Sequence, residues 1–151
     1  MTEALLIKGN YNGAYTYGQE YDKEIQGSPV SFNLLINSIN EDGSFIGQFQ
    51  ETSGIGFINE TINVKGFIEG EELRFFYKEK AFSTIDAKGE VSIDGNVEPL
   101  MTRFIGVFDP VDNSFSGEWE MGTPHPEFGE DGDLDYDCDV NGGDWEMIFE
   151  N

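Results

Sequence analysis

The chain reads as all-β: an antiparallel up-and-down barrel of about eight strands in a single domain. Three observations lead there. The stretch Phe115-Ser-Gly-Glu-Trp-Glu-Met121 alternates strictly, with Phe115, Gly117, Trp119 and Met121 on one side and Ser116, Glu118 and Glu120 on the other. Period two is the mark of a strand with one dry face and one wet face. Its central apolar-x-Gly-x-apolar core recurs at Tyr11-x-Gly13-x-Tyr15, Phe45-x-Gly47-x-Phe49, Val64-x-Gly66-x-Ile68 and Phe104-x-Gly106-x-Phe108, and Gly117-Glu-Trp-Glu-Met121 returns as Gly143-Asp-Trp-Glu-Met147. Finally, 13 Phe, 6 Tyr and 19 Gly in 151 residues favour strands and tight turns over helices.

The first strand is Tyr11–Tyr17, with Tyr11, Gly13, Tyr15 and Tyr17 on one face. A polar loop runs through Gly18, Gly27 and Pro29. Val30, Phe32, Leu34 and Ile36 then alternate with Ser31, Asn33, Leu35 and Asn37. Asn40-Glu-Asp-Gly43 is a turn signal leading into Phe45–Gln50, so these two strands form a hairpin. Ser53-Gly-Ile-Gly56 reads as a flexible link. Ile62, Val64, Gly66 and Ile68 share the next inner face, and Gly70-Glu71 turns the chain into Leu73, Phe75 and Tyr77.

Residues 79–99 are less regular. Val91 and Ile93 suggest a short strand, and Pro99 argues against a central one. Phe104, Gly106 and Phe108 face one way and Ile105 and Val107 the other, a segment expected to be covered on both faces. Asp109–Asn113 is a turn into Phe115–Met121. Residues 122–142 form an acidic loop, and the last strand carries Trp145, Met147 and Phe149 inward.

Short turns between successive strands give a meander, and eight strands suffice to close a small barrel that is either filled by side chains or holds one small ligand. An open sheet or sandwich uses the same alternation and is the alternative. Glycines within inward faces would let strands bend and let an aromatic approach from across the barrel. With 151 residues the chain buries roughly two-thirds of its unfolded surface and needs no staples.

The Tyr11-x-Gly13-x-Tyr15 opening, the repeated apolar-x-Gly-x-apolar strands and the closing Gly-x-Trp-x-Met resemble small calycin-like barrels, the lipocalin, avidin and fatty-acid-binding types. The lipocalin Gly-x-Trp has no match at the first strand, and no avidin ligand set transfers residue by residue. What the resemblance implies is the fold and, by analogy, ligand binding.

Net charge is −22, and −14 of it lies in residues 104–151, which contain no Lys or Arg. Such a field repels nucleic acid and anionic membranes and attracts cations and basic proteins. The bland account is solubility. The single Cys138 excludes an intramolecular disulfide and suits a cytoplasmic location. The first residues lack a basic, long-apolar leader, and no apolar run is long enough to span a membrane.

Asp131, Asp133, Asp135, Asp137 and Asp139 occupy alternate positions, and Asp137-Cys-Asp139-Val-Asn141-Gly142 matches the first half of a Ca²⁺ loop. Ile148 stands where the EF-hand's bidentate Glu belongs, so the expectation is a looser Ca²⁺ loop or a solvated acidic one. His125, the lone histidine, sits between prolines without a nucleophile motif, so zinc and Ser-His or Cys-His catalysis have little support. The inward faces carry almost no polar groups, which argues against an enzyme. Tyr15, Tyr17, Phe32, Phe45, Phe49, Phe75, Trp119 and Trp145 either line a pocket or fill the core, and Tyr15, Tyr17, Phe49, Phe75, Trp119 and Trp145 are the candidates to contact a small apolar ligand. The sequence therefore supports a non-enzymatic binding barrel. The rival reading is an acidic interaction protein that docks on a basic partner, as an immunity protein docks on its toxin.

Overall fold

A computed structural model describes residues 6–18, 23–54, 60–78, 82–85, 91–94, 100–122 and 141–150. Ten strands follow one another: β1 (Gly9–Thr16), β2 (Pro29–Ile39), β3 (Ser44–Gly54), β4 (Thr61–Glu69), β5 (Glu72–Lys78), β6 (Phe82–Ile85), β7 (Val91–Asp94), β8 (Met101–Asp109), β9 (Ser114–Gly122) and β10 (Asn141–Phe149). Eight of them close a barrel in the order β1-β10-β9-β8-β5-β4-β3-β2, and every pair is antiparallel. The meander is interrupted once, between β5 and β8, where β6 and β7 pair as a separate two-stranded sheet. The barrel, rather than the sandwich, is the architecture.

The alternation seen in the sequence is realised strand by strand. On β3, Phe45, Gly47, Phe49 and Glu51 are buried while Ile46, Gln48, Gln50 and Thr52 are exposed. The inward set from all eight strands forms one aromatic-rich core that includes Tyr11, Phe32, Phe49, Phe75, Phe104, Phe115 and Trp145. Each fully buried large apolar side chain stabilises the fold by about 1.5–3 kcal/mol, and the ring pairs add to that.

The two ends of the barrel differ. At one end the connections are short: Asn40–Gly43, Gly70-Glu71 and Pro110–Asn113. Gly70 alone in its two-residue loop takes positive φ (59°), the place glycine fills in a II′ hairpin turn. Leu6, ahead of β1, is buried, and the backbone N–H of Ile7 donates to the Tyr11 hydroxyl (3.0 Å). That hydroxyl donates in turn to the Ile7 carbonyl (3.2 Å), so the entering chain is fastened against β1 at this end. The long connections, between β1 and β2, β3 and β4, β5 and β8, and β9 and β10, all leave from the opposite end, called the mouth here.

Several sequence expectations need correction. Ser53 and Gly54 belong to β3 rather than to a flexible link. The β6 strand was not foreseen, and β7 matches the short strand at Val91 and Ile93. The outer face of β8 is not covered, since Val107 is 54% exposed. Ile105 and Val107 lie on an outer wall that also carries the ion pairs Arg74–Glu72 and Arg103–Glu120 (2.7 and 2.8 Å), so charge keeps that wall wet. Some inward glycines accept aromatic rings, Gly13 and Gly66 from the neighbouring strand, whereas Gly47 and Gly117 face backbone. A Cβ at Gly66 would overlap the ring of Phe45, its cross-strand partner. At Gly106 the ring is that of Trp145, two strands away (2.6 Å to Cζ2). Pleat geometry places a ring over the bare Cα beside it more readily than over one across a filled interior.

Candidate functional site

Among the described residues the barrel interior is apolar apart from the Tyr11 hydroxyl at the short-turn end and a group of polar side chains at the mouth. Among the described residues the buried polar or charged side chains are Glu51 (8% exposed) and Thr102 (3%), with phenols at Tyr15, Tyr17 and Tyr77. Glu51 continues the inward alternation of β3 two residues beyond Phe49. A β-bulge follows it: Phe32 pairs with Glu51 but Ser31 pairs with Ser53, leaving Thr52 as the extra residue. Bulges of this kind re-aim side chains at barrel rims.

The Tyr15 hydroxyl donates to Glu51 Oε2. Burial pushes the Tyr15 phenol well above its usual range, and the Glu51 charge adds to the shift. Tyr17 is pushed up to about 12 by burial and then by Glu51, against a smaller opposing effect of a hydrogen bond with Tyr15. Both phenols are therefore protonated at neutral pH. Thr102 lies directly opposite Tyr77 across the β5–β8 pair. Trp119 meets Tyr15 edge-on (centroids 4.9 Å) and Tyr17 likewise (6.3 Å). Its indole N–H donates to the Thr16 carbonyl (2.8 Å), so the tryptophan offers its ring, not its edge.

One pleat step further in lies a floor of rings. Phe104 stacks on Phe75 (4.6 Å), packs against Phe49 (5.6 Å) and Phe32 (5.9 Å), and reaches up to Tyr15 (6.1 Å) and Tyr77 (6.3 Å). Trp145 packs edge-on against Phe75 and Phe104, and its N–H is shared between the carbonyls of Ile105 (3.1 Å) and Glu118 (3.0 Å).

The six residues nominated from sequence thus divide. Tyr15, Tyr17 and Trp119 stand at the mouth, whereas Phe49, Phe75 and Trp145 build the floor. Glu51, Tyr77 and Thr102 join the first group. The expectation of nearly apolar inward faces fails at this end, because β3 runs past Gln50 and β8 begins before Phe104. Extending the same alternation by two residues reaches Glu51 on one strand and Thr102 on the other.

The acidic segment was read as 122–142, but Gly122 ends β9 and Asn141 and Gly142 open β10, paired with Met121 and Glu120. Asp137 and Asp139 of the Ca²⁺ pattern lie outside the described residues, as does His125. Among the described residues no group of acidic, histidine or cysteine side chains is arranged to hold a metal ion. Among the described residues no helix is long and apolar enough to cross a membrane.

No protein-family model and no curated protein matches this chain. Solved structures do. Apo shwanavidin in its P1 crystal form aligns with a TM-score of 0.56 at 15% identity, over 99% of this chain and all of that one. The rhizavidin–biotin complex aligns at 0.54 and 11% identity, covering 97% of this chain and 93% of that one. A low-affinity shwanavidin mutant aligns at 0.54 and 16%, with full coverage of both. The likeness is one of fold, a small calycin-like antiparallel up-and-down barrel.

Proposed function

We propose that this protein is a non-enzymatic binding barrel that holds one small molecule at its mouth, above the Phe104 floor and within the circle of Tyr15, Tyr17, Glu51, Tyr77, Thr102 and Trp119. The observation that carries the reading is the buried Glu51 carboxylate. Taking a carboxylate out of water costs several kcal/mol by rough estimate, and an apolar side chain there would fill the same barrel at no such cost. A locally unfavourable residue at one end of an otherwise consistent core marks a functional position. The site is mostly aromatic with a few convergent polar groups, and lies at the end of the barrel where small barrels take ligands.

The avidin-type neighbours support the same class of function, and biotin, bound in the rhizavidin complex, belongs among the first probes. At neutral pH the described mouth supplies phenols that keep their protons and no histidine, so it suits recognition better than proton transfer. The test is native mass spectrometry of protein isolated gently at low salt. A small-molecule adduct at one per chain is expected, released on activation and diminished in Glu51→Gln. A bare mass, with no binding of added biotin or other small probes, would contradict the reading.

A further inference from the structure

The mouth also constrains the chemistry of what it holds. We infer that the ligand is an organic cation presenting N–H donors, a primary amine or an amidinium, on an aromatic or aliphatic body. The inference rests on the binding-barrel reading and narrows it.

Three features of the site support it. The charge built into the described interior is a carboxylate, and of the cations whose side chains are described, Lys8, Lys23, Lys65 and Arg74 are exposed and Arg103 pairs with Glu120 on the outer wall. Tyr15 is bonded to Glu51, the rings of Tyr17 and Trp119 pack edge-on against Tyr15, and Tyr77 packs on Phe49; aromatic π-faces of this kind attract a desolvated cation. The donors of Tyr15 and Trp119 are directed at protein acceptors, Glu51 and the Thr16 carbonyl. The charged group of the described mouth is thus the Glu51 carboxylate, an acceptor to which an ammonium or amidinium N–H is complementary. An anion would face Glu51 at close range in a low-dielectric setting. The net charge of −22 works in the same direction, raising the local concentration of cations and depleting anions.

The experiment is isothermal titration of the whole protein at physiological ionic strength with three probes of one shape: benzylamine, benzyl alcohol and benzoate. Benzylamine should bind at least about tenfold tighter than benzyl alcohol, the scale of one charge-assisted contact in a partly dry site, and benzoate should not bind. In Glu51→Gln the preference for benzylamine should vanish. That variant keeps a carbonyl oxygen for Tyr15 and almost all of the net charge, so a preference surviving in it would assign the effect to general attraction and overturn the inference.

The wild-type comparison decides by itself should the variant fail to fold. Equal or tighter binding of benzyl alcohol or benzoate would overturn the inference and leave the binding barrel standing. Failure of every probe would also overturn it. Joined to a bare native mass, that failure would overturn the binding barrel as well.

Discussion

Tyr15 and Glu51 face each other inside the barrel from β1 and β3, with β2 between them, and the phenol donates its hydrogen to the carboxylate. Two groups that would each be costly alone satisfy one another there. Tyr15→Phe should lower stability by about 1–3 kcal/mol, because it removes the donor and leaves the acceptor. Tyr15→Phe combined with Glu51→Leu should recover most of that loss, since replacing both partners with apolar groups is close to neutral. Urea unfolding of the single and double variants checks this. A double variant less stable than Tyr15→Phe would mean that the pair is a net stabiliser rather than a feature kept for binding.

The buried phenols give a pH dependence of definite sign. Tyr15 and Tyr17 ionise at higher pH in the folded chain than in the unfolded one, Tyr17 at about 12. Their contribution is complete below the unfolded value near 10, and it is lost as pH rises from there towards the folded values. Stability should fall by about 1.4 kcal/mol per pH unit for each of the two tyrosines across that window. Denaturant melts from pH 9 to 12, with Tyr17→Phe giving a shallower fall, measure it. A profile that is flat across this range would contradict the assigned burial.

The two tryptophans should behave differently. Trp145→Phe gives up both indole hydrogen bonds, to Ile105 and Glu118, and loosens the packing over Gly106, for about 2–4 kcal/mol of stability. Its folded molecules should bind small probes within about twofold of wild type. Trp119→Phe should weaken binding, because that ring stands at the mouth. Melting and titration on the same samples separate the two effects, and a binding defect confined to Trp145→Phe would reverse the assignment.

Gly66→Ala should cost about 1–3 kcal/mol or more, as overpacking does in a filled core, because the new methyl meets both the Phe45 ring and the Arg74 carbonyl. Gly66→Ala with Phe45→Leu should regain part of the loss if the ring is the main obstacle. Thermal melts of the two variants decide.

Much of the fold was legible because period two is a strong signal wherever one face is dry. Phe45-x-Gly47-x-Phe49 and Phe115-x-Gly117-x-Trp119 announce their strands and their inner faces without help from the rest of the chain. The site was half legible. Tyr15, Tyr17 and Trp119 could be nominated as large inward aromatics, but the same rule nominated Phe49, Phe75 and Trp145. Nothing local distinguishes a ring at the mouth from one in the floor; strand order and register do that. Glu51 was hidden for a different reason. A charged residue at an inward position looks like the end of a strand, and the polar Thr102 at the start of β8 likewise interrupts the apolar alternation. The residues that break the hydrophobic pattern are the ones the binding account depends on.

The most direct test of that account is a pair of two-dimensional NMR spectra of isotope-labelled protein, one as gently isolated and one after the bound molecule is stripped by unfolding and refolding. The account predicts that the indole N–H of Trp119 and the resonances of Tyr15, Tyr17 and Glu51 move. The indole N–H of Trp145 and outer-wall residues such as Phe67 and Val107 should stay in place. Identical spectra, or changes confined to the outer wall, would contradict a ligand seated above Phe104.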